Sequence, residues 1–353
     1  MKSQKTSSMN SGRTLVLSDK VIEKLVSLQE ALPLVEAGFA ADARGRAVAL
    51  PVMVRLLKPF GIHFGIKSGY LQAGNSPGQT ECGNKMPACV GDVVGLKAGG
   101  YWLRNPALGL SGHRAVILLL DPETGNAVAL MSANWITRIR TAAAGAVAAK
   151  YLARHDVRVV AIIGAGEQAH AQLQGLRMVR EIQQAYVWAR QPDAAEAYAS
   201  TWREAGLRVK AVRDIREATE PADVVITATP STEALVWDSW IRPGTHVTAI
   251  GSDGEGKQEL DVRLLQRAKV VVDKIPQSIS IGELQHAVRE GLNATEMIHA
   301  ELGEICAGLK PGRENEEEIT VFDSSGVSFQ DLIVAGYLVH CAKAAGVGEY
   351  VSL

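Results

Sequence analysis

Residues 157–172, VRVVAIIGAGEQAHAQ, constrain the fold of this chain more than any other stretch. An apolar run rich in Val and Ile is typical of a buried strand, and here it passes through a turn of small residues into a helix-like segment. In such a turn the first glycine makes the bend, the second lets a pyrophosphate approach the backbone, and a small third residue, Ala169, packs helix against strand. The helix N-terminus also offers N–H groups to an anion. The residues expected to contact a dinucleotide here are Gly164, Ala165, Gly166, Glu167 and Gln168.

The sequence after residue 157 alternates between short β-rich runs and helix-length segments. Helices are expected over residues 167–180 and 194–205. The strand-like runs that follow the first one are AYVWA, ADVVITAT, THVTAIG and KVVVD. This alternation predicts an α/β fold, in which a doubly wound, Rossmann-type parallel sheet is covered on both faces.

Residues 1–148 show a different pattern, which predicts a second, α+β unit. A helix is expected over residues 19–41, with Ser18 as its N-cap. An Ala-rich helix, TRIRTAAAGAVAAKYLARH, leads to the parallel sheet, and a helix over residues 331–345 is expected to fold back onto the first unit. In AVILLLDPETGNAVALM, turn chemistry between two apolar runs predicts a hairpin. The other strand-like runs of this unit are VALPVMVRLL, HFGIKSGYL and VVGLKAGGYW.

Length, charge and cysteine usage limit the classes of function. A chain of 353 residues predicts two domains, and its net charge of -1 offers no basic field for nucleic acid. The chain has no apolar run long enough for a membrane span, and its polar start predicts a frayed tail rather than a signal peptide or an anchor. Because the cysteines lack the spacing of a zinc site, we expect no metal and reduced structural thiols in a cytoplasmic protein. These cysteines are Cys82, Cys89, Cys306 and Cys341.

The end of the second strand of the parallel sheet bears on which dinucleotide binds. NAD-selective sites usually place Asp or Glu there, about 20 residues beyond the glycine turn, to bond the ribose 2′-OH. The run AYVWARQPD has no acid at the strand end and instead places Arg190 where it can face a 2′-phosphate. The sequence therefore predicts an NAD(P)(H) site with a modest preference for NADP(H).

Five motifs in this order and spacing resemble the ornithine cyclodeaminase/mu-crystallin family: RTAAAGAVAAKYLAR, IIGAGEQA, ADVVITATPS, AIGSDGEGKQELD and VFDSSGVSFQDL. The likeness covers nearly the whole chain from about Ser18. Three stretches, VGLKAGGYW, QSISIGELQHAV and GKQELD, are most similar to the iminosuccinate reductase branch. The resemblance implies a homodimer. It also implies a substrate-binding and dimerisation domain over residues 1–148 and 328–353, with a dinucleotide-binding domain over residues 149–327.

The resemblance further implies which cations hold the carboxylate of a substrate. Lys97 in GLKAG and Arg140 in IRTAAAG match the cations of the family. Arg presents a planar, two-pronged donor to a carboxylate, and Lys supplies a compact charge or, with a lowered pKa, a proton. The family carries a second Arg in an early strand, where this chain has Arg55 two positions further along. Lys67 in GIKSG is the alternative cation for that role.

The loops of the predicted parallel sheet contribute further candidates. Asp253 in GSDGEGK matches the acid that cyclodeaminases use for proton transfer on the substrate amine, and it follows a parallel strand, where ligands bind. His113 in SGHRAV matches a histidine often found beside the substrate, with a structural role as the alternative. Lys257 and Glu259 flank the Asp253 loop, and we assign them no catalytic role. The remaining expected cofactor contacts are Thr229, Gly251 and Ser252.

These inferences predict an NAD(P)H-dependent reductase of a small α-imino acid or cyclic ketimine carboxylate, reversible as an amino-acid dehydrogenase. Lys97 and Arg140 would anchor the carboxylate, and Asp253 or Lys97 would transfer the proton. Two alternatives stay open: an ornithine or lysine cyclodeaminase with tightly bound NAD, and a crystallin-like nucleotide-binding protein with little turnover. Residues 72–92 have no counterpart in the family pattern, and a surface loop is expected there, with a lid or an oligomer contact as alternatives.

Overall fold

The computed structural model describes residues 12–72 and 90–353. The expectations for the N-terminal tail, for Cys82 and Cys89, and for most of the segment 72–92 lie outside these described residues. Within them, no helix is long and apolar enough to cross a membrane.

The strands and helices are numbered in chain order. The first part contains β1 (Arg13–Leu17), α1 (Asp19–Leu25), α2 (Leu28–Ala43), β2 (Ala47–Ala49), β3 (Met53–Leu57), β4 (Ile62–Leu71), β5 (Val93–Trp102), β6 (His113–Leu120), β7 (Ala127–Ser132) and α3 (Asn134–Leu152). The middle contains β8 (Val159–Ile163), α4 (Glu167–Val179), β9 (Gln184–Trp188), α5 (Pro192–Glu204), β10 (Arg208–Ala211), α6 (Ile215–Thr219), β11 (Val224–Thr227), β12 (Thr232–Val236), β13 (His246–Ala249), β14 (Gln258–Leu260), α7 (Val262–Arg267) and β15 (Lys269–Val272). The last part contains α8 (Ile275–Ile281), α9 (Leu284–Arg289), α10 (Ala294–Met297), β16 (Ile298–Glu301), α11 (Leu302–Cys306), β17 (Thr320–Asp323), α12 (Ser328–Ala345) and β18 (Glu349–Ser352).

The first sheet has the strand order β18-β1-β7-β6-β5-β4-β2, and β3 also pairs with β4. β6 and β7 form the antiparallel hairpin predicted around DPETGN. β4 and β5 pair antiparallel along their length, with Lys67 directly opposite Lys97. Because directly opposite residues of an antiparallel pair project from the same face, the two lysines share one face of the sheet.

Two elements expected in this part as continuous are interrupted. The helix expected over residues 19–41 is divided into α1 and α2, because the backbone is extended at Val26 and a capping box of Ser27 and Glu30 starts the second helix. Ser18 precedes α1 as expected, although its side chain makes no capping hydrogen bond. The run VALPVMVRLL forms two short strands, β2 and β3, with Pro51 in the gap, where it has no N–H to donate to a neighbouring strand.

The second sheet is entirely parallel, with the strand order β10-β9-β8-β11-β13-β17-β15-β16. This order confirms the predicted Rossmann-type, doubly wound architecture. The helices expected after the first two strands are α4 and α5, within two residues of their predicted bounds. The strand order reverses between β8 and β11, and ligands bind at the carboxyl ends of strands flanking such a reversal.

β12 and β14 form a separate parallel pair, and helices α3 and α12 connect the two large sheets. α3 packs closely against α4, where a Cβ on Gly175 would lie only 2.7 Å from the carbonyl oxygen of Ala142, so small residues are required at this contact. α12 follows β17 of the parallel sheet and packs against β4 and β5 of the first sheet, and β18 then pairs antiparallel with β1. The helix predicted over residues 331–345 therefore folds back as expected, beginning three residues earlier at Ser328.

Candidate active site

The glycine turn after β8 has the geometry that the sequence predicted. Gly164 has φ +115°, and a Cβ there would lie 2.6 Å from the carbonyl oxygen of Ala228, so only glycine fits. Gly166 caps α4 and has open space where a Cβ would point, which leaves room for a ligand at the helix N-terminus. Ala169 is fully buried between α4 and the sheet. These features fit the pyrophosphate of a dinucleotide.

The first turn of α4 adds a polar group to this cradle. Glu167 is exposed, whereas the amide of Gln168 is partly buried and its Nε2 donates to the carbonyl oxygen of Thr137 in α3 at 3.4 Å. The Oε1 atom of Gln168 is buried and has no hydrogen-bond partner among the described residues. An unsatisfied buried acceptor is costly, and it indicates that a bound group completes the site.

Two further cofactor candidates are held by one buried carboxylate. Glu259 accepts hydrogen bonds from the backbone N–H and the hydroxyl of Thr229, at 2.6 and 2.7 Å, and from the N–H of Gly251 at 2.8 Å. The hydroxyl of Ser252 donates to the carbonyl oxygen of Lys257 at 3.0 Å. Glu259 therefore fixes the loops after β11 and β13, at the carboxyl edge of the parallel sheet where a dinucleotide would bind.

Arg190 lies two residues beyond the end of β9 and its side chain is exposed. Within the described residues that follow β9, the next acid is Asp193, inside α5. The end of β9 is the position that distinguishes a ribose 2′-OH from a 2′-phosphate, and the structure has a cation and no carboxylate there.

The predicted carboxylate-binding cations Lys97 and Arg140 lie together and share a buried acid. Lys97 Nζ and Arg140 Nε each donate to Oδ1 of Asp331 at 2.9 Å, and Asp331 is only 1% exposed. Lys97 Nζ also donates to the hydroxyl of Thr137 at 3.2 Å, and Arg140 Nη1 donates to Oε1 of Gln330 at 2.7 Å. Burial opposes ionisation of Asp331, but Arg140 and Lys97 hold its pKa below the usual range.

Lys67 completes a group of three cations. Its Nζ donates to the carbonyl oxygen of Ser325 at 2.6 Å. A Cβ on Gly326 would lie 2.7 Å from Arg140 Nη1 and 3.1 Å from Lys67 Nζ, so both cationic groups meet at this glycine. Lys67, Lys97 and Arg140 thus bring several charged N–H donors to one place, and such donors suit a carboxylate ligand.

The cations perturb one another and the nearby histidine. Burial, together with the charge of Arg140, lowers the pKa of Lys97 to about 7, although Asp331 acts in the opposite direction. Burial followed by the charges of Lys97 and Arg140 lowers the pKa of His113 to about 4. Lys97 is therefore suited to proton transfer near neutral pH, whereas His113 remains a neutral imidazole.

Asp253 lies at the carboxyl edge of the parallel sheet, in the loop after β13. Its carboxylate is half exposed and contacts Lys257 Nζ at 2.5 Å. Burial acts to raise the pKa of Asp253, but Lys257 and Lys67 outweigh it and lower the pKa to about 2. Asp253 is therefore an anion at neutral pH, and its charge interacts with that of Lys67.

Arg55 does not join the cations, which corrects the prediction for this residue. It pairs with Phe64 across β3 and β4, whereas Lys67 lies an odd number of residues away from Phe64, so Arg55 projects from the opposite face of the sheet. Its side chain is exposed and donates to the carbonyl oxygen of Val54. Lys67 is the cation that the structure brings next to Arg140.

Several residues at the site were not singled out from the sequence. Asp331 lies within VFDSSGVSFQDL, one of the stretches that carried the family resemblance, but its role depends on a contact with Lys97 across 234 residues. Glu259 and Lys257 were noted only as neighbours of Asp253. Asp273, which follows β15, accepts a 2.5 Å hydrogen bond from the N–H of Gly326. Asp273 is the last residue of the strand-like run KVVVD. Its position at the carboxyl end of a strand is the sequence signal that could have identified it.

Comparison with known proteins identifies the family of this chain. The profile of the ornithine cyclodeaminase/mu-crystallin family matches residues 13–345. The chain belongs to this family. An iminosuccinate reductase from Paracoccus denitrificans is 37% identical over 339 residues, which cover 96% of this chain and all of that protein.

Two solved structures of this family superpose closely. An archaeal alanine dehydrogenase dimer with bound NAD has a TM-score of 0.86 and 37% identity, covering 96% of this chain and 99% of that one. The Δ1-pyrroline-2-carboxylate reductase of Thermococcus litoralis, in complex with NADH and L-proline, has a TM-score of 0.86 and 36% identity. The match covers 96% of this chain and 100% of that one. By name, these family members act on carbon–nitrogen bonds of small amino or imino acids.

Proposed function

We propose that this protein is an NAD(P)H-dependent reductase of a small α-imino or cyclic ketimine carboxylate, which works in reverse as an amino-acid dehydrogenase. One observation carries the proposal: Lys67, Lys97 and Arg140 lie together beside the buried Asp331, and Thr137 links this group to the helix after the glycine turn, because it accepts from Lys97 Nζ and from Gln168 Nε2. The catalytic pair would be Lys97 and Asp253.

The carboxylate of the substrate would bind to Arg140 and Lys67. Arg140 is held by Asp331 and Gln330, so its guanidinium is oriented before a ligand arrives. A fixed guanidinium binds a carboxylate with geometric specificity, and a nearby ammonium adds charge. Orientation of this kind lowers the barrier of the subsequent step, because less freedom is lost at the transition state.

The neighbouring groups divide the proton chemistry between them. Lys97, with a pKa lowered to about 7, can hold a proton and release it to the substrate nitrogen near neutral pH. Asp253, with a pKa lowered to about 2, stays ionised and would stabilise the positive charge of an iminium or ammonium group. A dinucleotide on the glycine turn would supply the hydride in one direction and accept it in the other.

The preference for NADP(H) rests on the end of β9. Arg190 is exposed there, without an acid in its place, and a guanidinium suits a 2′-phosphate. The solved relatives bind NAD or NADH, so we propose that both dinucleotides bind, with NADP(H) favoured.

An iminosuccinate-like acid is the substrate that we favour. The iminosuccinate reductase of Paracoccus denitrificans aligns over its whole length with this chain.

The proposed homodimer would cover the face of the first sheet opposite the cations. Val116 on β6 pairs with Ala98, and Met53 on β3 pairs with Ile66, which places both apolar residues on the face opposite Lys97. Val116 is 47% exposed and Met53 is 50% exposed. An exposed apolar sheet face suits an interface, and the related archaeal alanine dehydrogenase is a dimer.

The Asp253 carboxylate also supports a second candidate, a cyclodeaminase. The same site would then oxidise and re-reduce a diamino acid on tightly held NAD, with release of ammonia. An ionised acid beside the substrate amine is common to both reactions, so net oxidation of the dinucleotide distinguishes them.

The test follows the near-ultraviolet absorbance of NADH or NADPH with purified protein. The substrates are oxaloacetate, pyruvate and glyoxylate, each with ammonia, and preformed cyclic imines. Oxidation with oxaloacetate and ammonia is the expected result, and oxidation with another member would assign that substrate. No oxidation across the panel, together with ammonia release from ornithine or lysine on NAD, would reject the reductase in favour of the cyclodeaminase.

A further inference from the structure

The turn formed by residues 324–326 lies between β17 of the parallel sheet and α12. It contacts the cations of the first sheet through its backbone. The carbonyl oxygen of Ser325 accepts from Lys67 Nζ at 2.6 Å, and Gly326, with φ +77°, lies against Arg140 and Lys67. Residues from both sheets therefore meet at this turn.

A buried carboxylate holds the turn from the side of the parallel sheet. Asp273 is fully buried, and its Oδ2 accepts from the N–H of Gly326 at 2.5 Å and from the hydroxyl of Ser324 at 3.1 Å. Its Oδ1 accepts from the hydroxyl of Ser325 at 3.3 Å. All three residues of the turn thus bond to one side chain.

Gln277 in α8 holds the same turn from a second direction. Its Nε2 donates to the hydroxyl of Ser325 at 2.8 Å and to the carbonyl oxygen of Gly326 at 2.7 Å. Hydrogen bonds from two side chains leave the turn little freedom to move. The position of the turn also sets the space between Lys67 and Arg140. Asp273 and Gln277 hold the turn, but their side-chain hydrogen bonds go to the turn and not to either cation.

We infer that Asp273 and Gln277 are positioning residues, which set the spacing of Lys67 and Arg140 by holding the turn 324–326. Gly326 is required in this turn, because a side chain there displaces the guanidinium of Arg140. This inference rests on the proposed function in so far as the bound anion is the substrate carboxylate. Arg140 cannot yield freely to a methyl group at Gly326, because Asp331 and Gln330 hold it.

The first test uses a matched pair of substitutions, Gly326→Ala and Gly308→Ala. Gly308 has φ +72° and open space around its Cβ position, so both variants carry the same backbone strain and only the first meets a cation. Calorimetry with oxalate as the anion probe is expected to show binding to the native protein and to Gly308→Ala, and a loss of about tenfold or more in affinity for Gly326→Ala.

A second variant, Gln277→Ala, keeps the inference testable if Gly326→Ala does not fold. It removes two hydrogen bonds to the turn without straining the backbone. We expect weaker oxalate binding and, with the substrate found in the activity panel, a raised KM with a smaller change in kcat and an unchanged affinity for NADH. A residue that served stability alone would not separate KM from NADH affinity in this way.

The outcomes separate this inference from the proposed function. Equal oxalate affinities for the Gly326→Ala and Gly308→Ala variants, an unchanged affinity for Gln277→Ala, or no oxalate binding to the native protein would overturn the inference. If oxalate binding follows the expected pattern while no substrate oxidises NADH or NADPH, the inference stands and the proposed function fails.

Discussion

At the scale of single residues, the site depends on how one buried carboxylate is shared. Asp331 accepts from both Lys97 and Arg140 through the same oxygen, so neither cation is fully neutralised. Burial lowers the pKa of Lys97 and the repulsion from Arg140 lowers it further, which brings it to about 7. The arrangement places a lysine whose pKa is lowered to about 7 beside the guanidinium of Arg140.

The pH dependence of catalysis tests this role of Lys97. With a preformed cyclic imine, kcat/KM for reduction should fall above pH 7, because Lys97 then lacks the proton that it donates. For oxidation of the amino acid the sign reverses, and kcat/KM should rise through the same pH range. In Lys97→Arg the transition near pH 7 should disappear and the rate should drop at least about a hundredfold. A native profile that is flat between pH 6 and 9 would contradict the assignment.

Arg140→Lys tests whether the guanidinium geometry matters beyond its charge. A lysine cannot make two parallel hydrogen bonds to a carboxylate, and it cannot satisfy both Asp331 and Gln330. We expect KM for the imino acid to rise about tenfold or more with little change in the Kd of NADH. Arg267→Lys is the control, because Arg267 forms a partly exposed ion pair with Asp238. Equal KM values for the two variants would argue against carboxylate binding by Arg140.

Arg190→Ala tests the preference between dinucleotides. Loss of a cation that faces a 2′-phosphate should raise KM for NADPH about tenfold and leave KM for NADH nearly unchanged. Steady-state kinetics with both dinucleotides at saturating imine measures this. The same change for both dinucleotides would show that Arg190 does not select between them.

At the scale of secondary structure elements, local pattern predicted most of the fold. Strand-like runs located β8, β9, β11, β13 and β15 of the parallel sheet, and DPETGN located the hairpin of β6 and β7, whereas β10, β16 and β17 were not predicted as strands. The sequence also contains the local signal that divides the helix expected over residues 19–41, which is the capping box of Ser27 and Glu30. Because the pattern is helical on both sides of this signal, one continuous helix was predicted.

The candidate site was only partly predictable, because its contacts are not local. Lys97, Arg140 and Asp253 were found through the family resemblance, but the choice between Arg55 and Lys67 depended on which face of the sheet each occupies. That face is set by strand register, and the break around Pro51 shifts the register from what one continuous strand would give. Asp331 acts through an ion pair that only the folded chain forms.

Glu259→Gln tests the element that holds the cofactor loops. A glutamine retains one acceptor but turns an NH₂ group either toward the N–H and hydroxyl donors of Thr229 or toward the N–H donor of Gly251. We expect the Kd of NADH, measured by fluorescence, to rise about tenfold. Oxalate binding at the cations should remain, because the hydrogen bonds of the Glu259 side chain within the described residues go to Thr227, Thr229 and Gly251 and not to the cations. An unchanged Kd of NADH would show that the loops do not depend on Glu259.

At the scale of the whole molecule, the candidate active site lies where the chain passes between its two eight-stranded sheets. α3 runs from the first sheet toward the parallel sheet and contains Arg140. The turn between β17 and α12 leads back to the first sheet, and its Gly326 lies against Arg140. The first sheet contributes Lys67 and Lys97, and the parallel sheet contributes the glycine turn and Asp253. The proposed substrate and dinucleotide sites thus draw on separate sheets, which two crossings of the chain connect.

The central claim is that this site transfers a hydride to the α-carbon of an imino acid. The most direct measurement uses NADH and NADPH deuterated at C4, in each of the two stereochemical forms, with the imine that the panel identifies, and mass spectrometry of the product. We predict one deuterium on the α-carbon of the amino acid from one of the two forms, with one dinucleotide oxidised for each product molecule. An unlabelled amino acid from both forms, or product formed without net oxidation of the dinucleotide, would contradict the account.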